Sequence, residues 1–179
     1  MVQPARGTDT KEATVSVERI VDCPFSLVLD EADVIFAILE SQCNGGGVRL
    51  PYHALGLPFA GAVTHRVAVH FKRRDDLTEW GRFHDEIAFD WSAHSRWLPN
   101  FQGVLRFRIA TLKTLVILSG AYQPPFGRSG MLFDRLIGHR LALATCREIL
   151  HRLAEALEKR WTAENISGHG TTAMPRDAQ

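Results

Sequence analysis

The chain has 179 residues, 45% of them hydrophobic, with 21 basic and 20 acidic side chains for a formal net charge of +1. That length suits one domain with a buried core, and the hydrophobic share argues against wholesale disorder. The charge balance excludes a broad field for nucleic acid or anionic lipid, and three scattered cysteines (Cys23, Cys43, Cys146) with no CxxC pair support neither a disulfide framework nor a zinc ribbon.

Residues 1–12 are polar, lack the apolar stretch of a signal peptide, and read as a flexible arm. Residues 13–162 read as a single domain and 163–179 as a flexible tail. Thr14 to Val21 alternates Val15, Val17 and Val21, a strand signal with Arg19 as its odd member. Cys23-Pro24 breaks that strand. Phe25 to Gln42 then carries Leu27, Val28, Val34, Ile35, Ile38 and Leu39 at helical spacing, and Asn44-Gly45-Gly46-Gly47 ends the helix. The most apolar stretch, Ala32–Leu39, is far short of the roughly 20 residues that cross a bilayer. A cytoplasmic protein is expected.

Val48 to Tyr52 is a candidate short strand, and four better ones follow. Ala62 to Lys72 reads as one strand, with Val63, His65, Val67, Val69 and Phe71 on one face. Lys72-Arg73-Arg74 meets Asp75-Asp76 at once, which suits a solvated hairpin end. Phe83 to Trp91 sets Phe83, Asp85, Ile87, Phe89 and Trp91 against His84, Glu86 and Asp90. Val104 to Ala110 sets Leu105, Phe107 and Ile109 against Arg106 and Arg108. Leu115 to Tyr122 is apolar on both faces, as in the middle of a covered sheet. Short connections suit an antiparallel meander.

Pro124-Pro125 stops the last strand, and a helix is expected from about Ser129 to Trp161. Leu132, Leu136, His139, Leu143, Cys146, Leu150, Leu153 and Leu157 form one stripe along one face of this helix, itself on the order of 45 Å long. A lone helix cannot bury that stripe, and the sheet is its only large partner. The expected class is α+β: a curved antiparallel sheet wrapped on a long C-terminal helix.

With these elements placed, the chain resembles the START-related superfamily called SRPBCC, the helix-grip fold of polyketide cyclases, lipid-transfer domains and pathogenesis-related plant proteins. The resemblance rests on Trp91, then Trp97-Leu98-Pro99-Asn100-Phe101-Gln102-Gly103, then Gly120-Ala121-Tyr122-Gln123-Pro124-Pro125-Phe126-Gly127. Asp134, Gly138-His139-Arg140 and Ala144-Thr145 complete it. It spans residues 14 to 161 and implies a mostly apolar cavity between sheet and last helix, holding a hydrophobic ligand. The chain departs from the pattern after its first strand, where one long helix and a glycine-rich break stand for the usual pair of short helices.

Polar residues that the periodicity points inward are the candidates for chemistry. His65, Asp85 and His139 are candidate catalytic groups, since a buried carboxylate needs a partner and a histidine can serve it as general base or orient a ligand. Each also has a plain reading. His139 reads as a core or rim histidine bonded to Tyr122 or backbone, Asp85 as the ion-pair partner of Arg19, and Cys146 as a small space-filling hydrophobe. Candidate ligand-binding residues are Trp91, Phe101, Phe107, Tyr122, His139, Leu143 and Cys146, although aromatics at strand positions are core by default. His65, His84, His94 and His139 lack HxxxH or HxH spacing, so no metal is expected, nor any other cofactor. Gly45-Gly46-Gly47 lacks the lysine of a phosphate loop, and no nucleophile elbow is present.

Three functions compete: a non-enzymatic binder or carrier of a hydrophobic or aromatic molecule, a cyclase or dehydratase using His65, Asp85 or His139, and a protein-interaction module. The expected partner is a small hydrophobic ligand, without nucleic acid or a transmembrane segment, and a homodimer stays open.

Overall fold

A computed structural model describes residues 13–58, 60–73, 86–93, 100–123 and 138–168. The elements run β1 (Ala13–Val21), α1 (Phe25–Gly46), β2 (Val48–Pro51), a 3₁₀ turn (Tyr52–Leu55), β3 (Ala62–His65), β4 (Val67–Arg73), β5 (Glu86–Ala93), β6 (Asn100–Ala110), β7 (Lys113–Gln123) and α2 (His139–Gly168). Five strands form one antiparallel sheet in the order β1-β7-β6-β5-β4, and β2 pairs with β3 in a second, two-stranded sheet. The long C-terminal helix lies across β1, β7, α1, β2 and the 3₁₀ turn. This is the α+β helix-grip arrangement.

Period-2 patterning decides which side of the large sheet is covered. Ile87, Phe89 and Trp91 of β5 are buried, as are Phe101, Leu105 and Phe107 of β6 and Thr114, Val116, Leu118 and Tyr122 of β7. The intervening residues face out, where Glu86 and Arg106 pair directly across the strands. Gly103 and Gly120 stand opposite each other on the covered face. A Cβ on Gly103 would lie 2.8 Å from the Phe101 ring and 2.9 Å from Gly120 Cα, so only glycine lets β6, β7 and the Phe101 ring meet so closely.

Edges are handled differently at the two ends of the sheet. β4 is an edge strand, and α1 lies against it. Asn44 Oδ1 accepts from the Val69 amide at 2.7 Å and Glu40 Oε1 from the Phe71 amide at 2.6 Å. Two backbone donors that would otherwise stand ready for another strand are thereby occupied. At the opposite end, Thr114 donates from β7 to the Cys23 carbonyl at 2.9 Å, pinning the turn between β1 and α1.

The structure corrects several expectations. Ala62–Lys72 is not one strand: His65 pairs with Val48 in the small sheet, the chain crosses at Arg66, and Val67 starts the large sheet. Gly47 permits that crossing, since its φ of 73° and a Cβ position 2.9 Å from the His65 carbonyl both exclude other residues. Val63, expected inside, is 37% exposed. Ile109 shares a face with Phe107 but is 70% exposed, because it stands next to the two-residue β6–β7 turn at the end of the sheet. β7 is covered on one face only, leaving Leu115 and Ile117 half-buried.

The stripe on α2 also differs. Cys146, Leu150, Leu153 and Leu157 are buried as expected, but Leu143 is half-buried and His139 exposed. In the early turns the buried residues are Leu141, Ala142, Ala144 and Thr145 instead. The buried face swings because the 3₁₀ turn and β2 also pack against the helix, with Arg140 of the first turn donating to the Leu55 carbonyl and Arg152, farther along, to the Gly47 carbonyl. The helix continues to Gly168, past its expected end near Trp161, since no proline or glycine intervenes. Its start at Ser129, with Leu132, Asp134 and Leu136, lies outside the described residues, as do the hairpin charges beyond Arg73, Phe83, His84, Trp97 and the prolines at 124 and 125.

Candidate functional site

Register builds the site from the sheet. Val69 pairs with Trp91, Trp91 with Phe101, Phe101 with Tyr122 and Tyr122 with Ala13, so one row crosses five strands on the covered face. Its three large rings are each 1% exposed. Trp91 and Phe101 stack with centroids 6.0 Å apart and planes 7° from parallel. Phe89 joins Phe101 at 5.8 Å, and Phe107 faces Phe36 of α1 at 6.4 Å. Tyr122 is the last ring of the row and stands beside His139, the two ring centroids 6.1 Å apart. An aromatic floor therefore runs toward the start of α2, with His139 on its exposed rim.

At the other end stands His65, 3% exposed on β3. Its Nδ1 lies 3.1 Å from Thr145 Oγ1, and its ring meets Trp91 edge to face at 5.4 Å. Thr145 Oγ1 also lies 2.8 Å from the Leu141 carbonyl, which can only accept. The hydroxyl proton therefore goes to Leu141, and the ring Nδ1–H donates to Thr145. That fixes the tautomer and leaves Nε2 as an acceptor. Burial lowers the His65 pKa to about 4, so the ring is neutral near pH 7.

Two polar atoms of this corner have no hydrogen-bond partner: His65 Nε2 and Trp91 Nε1. The first is an acceptor without a donor; the second is a donor with no oxygen or nitrogen acceptor, facing only the Cys146 sulfur. Cys146, on α2, is close enough for the indole to pull its thiol down slightly, but sulfur accepts weakly, and burial dominates, pushing that thiol up to about 12. Burial raises the Cys23 and Cys43 thiols as well. None of the three is a nucleophile near pH 7. Leaving a buried donor or acceptor unmet costs about 1–3 kcal/mol, so this corner is the most polar-deficient part of the described core.

The candidates thus separate. His65, Trp91 and Cys146 come together; Phe101 and Tyr122 extend the floor; His139 stands at its far rim. Asp85 lies outside the described residues, as do His84 and His94, and with Asp85 goes the expected carboxylate–histidine pairing. Arg19, the residue paired with Asp85 in the sequence reading, keeps its Nε buried and unbonded. Thr145 was visible only as a motif residue; the signal for it was a hydroxyl in an apolar helical run. Among the described residues no group of three His, Cys, Asp or Glu side chains could hold a metal, and no helix is long and apolar enough to cross a membrane.

No protein-family model matches the chain, and no curated protein matches it. Solved structures do. The chain is similar to TTHA0849 from Thermus thermophilus, at 14% identity and a TM-score of 0.47 over 83% of this chain and 99% of that one. It is similar to the Zhui aromatase/cyclase from Streptomyces sp. R1128, at 13% identity and a TM-score of 0.44 over 83% and 95%. The di-domain ARO/CYC StfQ from the steffimycin biosynthetic pathway matches at 12% identity and a TM-score of 0.47, over 85% of this chain and 52% of that one. The chain spans about half the length of StfQ.

Proposed function

We propose that this protein binds a hydrophobic or aromatic small molecule between the covered sheet face and α2, as a carrier or binder. The reading rests on one observation: an aromatic floor of Trp91, Phe101 and Tyr122 that ends, at His65 and Trp91, in buried nitrogens without partners. A core built only for stability gains from apolar side chains and loses by leaving such atoms unmet. A ligand that lies on flat aromatic faces and brings one polar group is served by both features. Phe107, Leu143 and Cys146 complete the lining, with His139 at the entrance.

Native mass spectrometry of the purified protein tests this, together with tryptophan fluorescence during titration with naphthalene and 1-naphthol. The expected result is saturable quenching by at least one probe, and a bound mass that is released on denaturation. An unliganded mass with no saturable response to either compound would remove the reading.

A further inference from the structure

The unmet atoms at the buried end of the floor are complementary to each other. His65 Nε2 is an acceptor because its Nδ1–H is already committed to Thr145, whose own proton is committed to Leu141. Trp91 Nε1–H can only donate. The two rings are in edge-to-face contact, and both nitrogens are shut off from solvent. We propose that His65 Nε2 and Trp91 Nε1–H form a hydroxyl-selective pair, which accepts the proton of a ligand hydroxyl and donates to its oxygen.

A hydroxyl is the smallest ligand group that donates and accepts through one oxygen. A ketone or ether oxygen could take the Trp91 proton but would leave His65 Nε2 unmet. A carboxylate would bring a charge into an aromatic corner with no cation among the described contacts of His65 and Trp91, and a buried charge without a partner is heavily disfavoured. The neutral state of His65 near pH 7 agrees with an acceptor role, since a protonated ring would repel a hydroxyl proton. Because both atoms are enclosed, the ligand group enters by displacing neighbouring side chains. This inference rests on the proposed pocket and adds to it the class of group that the pocket selects.

Three matched probes separate the two claims: naphthalene, 1-methoxynaphthalene and 1-naphthol, each titrated at pH 7.5 against the full chain. The pair predicts that 1-naphthol binds about tenfold or more tightly than naphthalene, roughly one hydrogen bond's worth. The methyl ether, which cannot donate, should lose most of that preference. In His65→Leu and in Trp91→Phe the naphthol-to-naphthalene ratio should fall to about one; if one variant fails to fold, the other carries the comparison. Equal binding of all three probes by the native chain would overturn the pair and leave the pocket standing, the outcome also expected if a water held the site. A preference that survives both substitutions would overturn the pair too. Binding of none of the probes would overturn pocket and pair together.

Discussion

His65 is an imidazole held where water cannot reach it, and its neutrality has a consequence for stability. Its pKa falls from 6.5 to about 4 in the folded chain. Between those values the unfolded chain takes up a proton that the folded chain refuses, so acidification favours unfolding. The contribution is fully present above about pH 6.5 and is lost as pH falls toward 4, with a full size of about 3 kcal/mol. Urea unfolding of the native chain and of His65→Gln at pH 7.5 and pH 4.5 checks this. The variant should lose less stability over that interval, and parallel losses would show that other groups carry the acid sensitivity. His65 is buried, as its alternation with Val67 and Val69 predicted, although the strand breaks between them at Arg66 and Val63 on the same expected face is exposed. It could not show Thr145 as the partner, since the two are 80 residues apart in the chain.

Among the elements, α1 does more than cover a face. Its Glu40 and Asn44 side chains bond the outer backbone of β4, the edge strand. Replacing both by alanine should cost about 2–4 kcal/mol, since each buried-side donor then loses its acceptor. Hydrogen exchange should rise at the Val69 and Phe71 amides, and light scattering should show stronger self-association as the edge opens. Unchanged protection at those two amides would contradict this role. The helix itself was readable from its apolar spacing, but its polar contacts were not. Glu40 and Asn44 look like ordinary solvated residues until a strand edge is placed beside them. The same limit explains β3 and β4: Val63 to Phe71 alternates without a break, and only the pairing of His65 with Val48 divides it. Alternation reports which side a residue faces relative to its neighbours, not which sheet it joins.

At the scale of the whole molecule, the sheet's close approach to itself at Gly103 and Gly120 sets the floor on which Phe101 lies. Gly103→Ala pushes a methyl against Phe101 and the facing strand, and overpacking of that kind costs about 1–3 kcal/mol or more. Thermal unfolding should show the loss, and near-ultraviolet circular dichroism should change as the Trp91–Phe101 stack is displaced; an unaltered spectrum would mean the stack tolerates the methyl. α2 gives the complementary lesson. A regular 3.5-residue spacing predicted one straight stripe, which holds from Cys146 to Leu157. Earlier turns are covered from another side by the 3₁₀ turn and β2, leaving His139 at the rim rather than under the helix.

By itself, the order of residues determined the α+β class, the inward face of β5 and most of that of β6, the two helices and the aromatic composition of the floor. All of these follow from periodicity and breakers within a few residues of one another. Tertiary structure alone decided which sheet each strand joined, which side of α2 was covered, and that His65 and Trp91 would meet with their remaining nitrogens unbonded. Those outcomes depend on surfaces brought together from distant parts of the chain, where a hydrogen bond or a covered face exists only once both partners are in place.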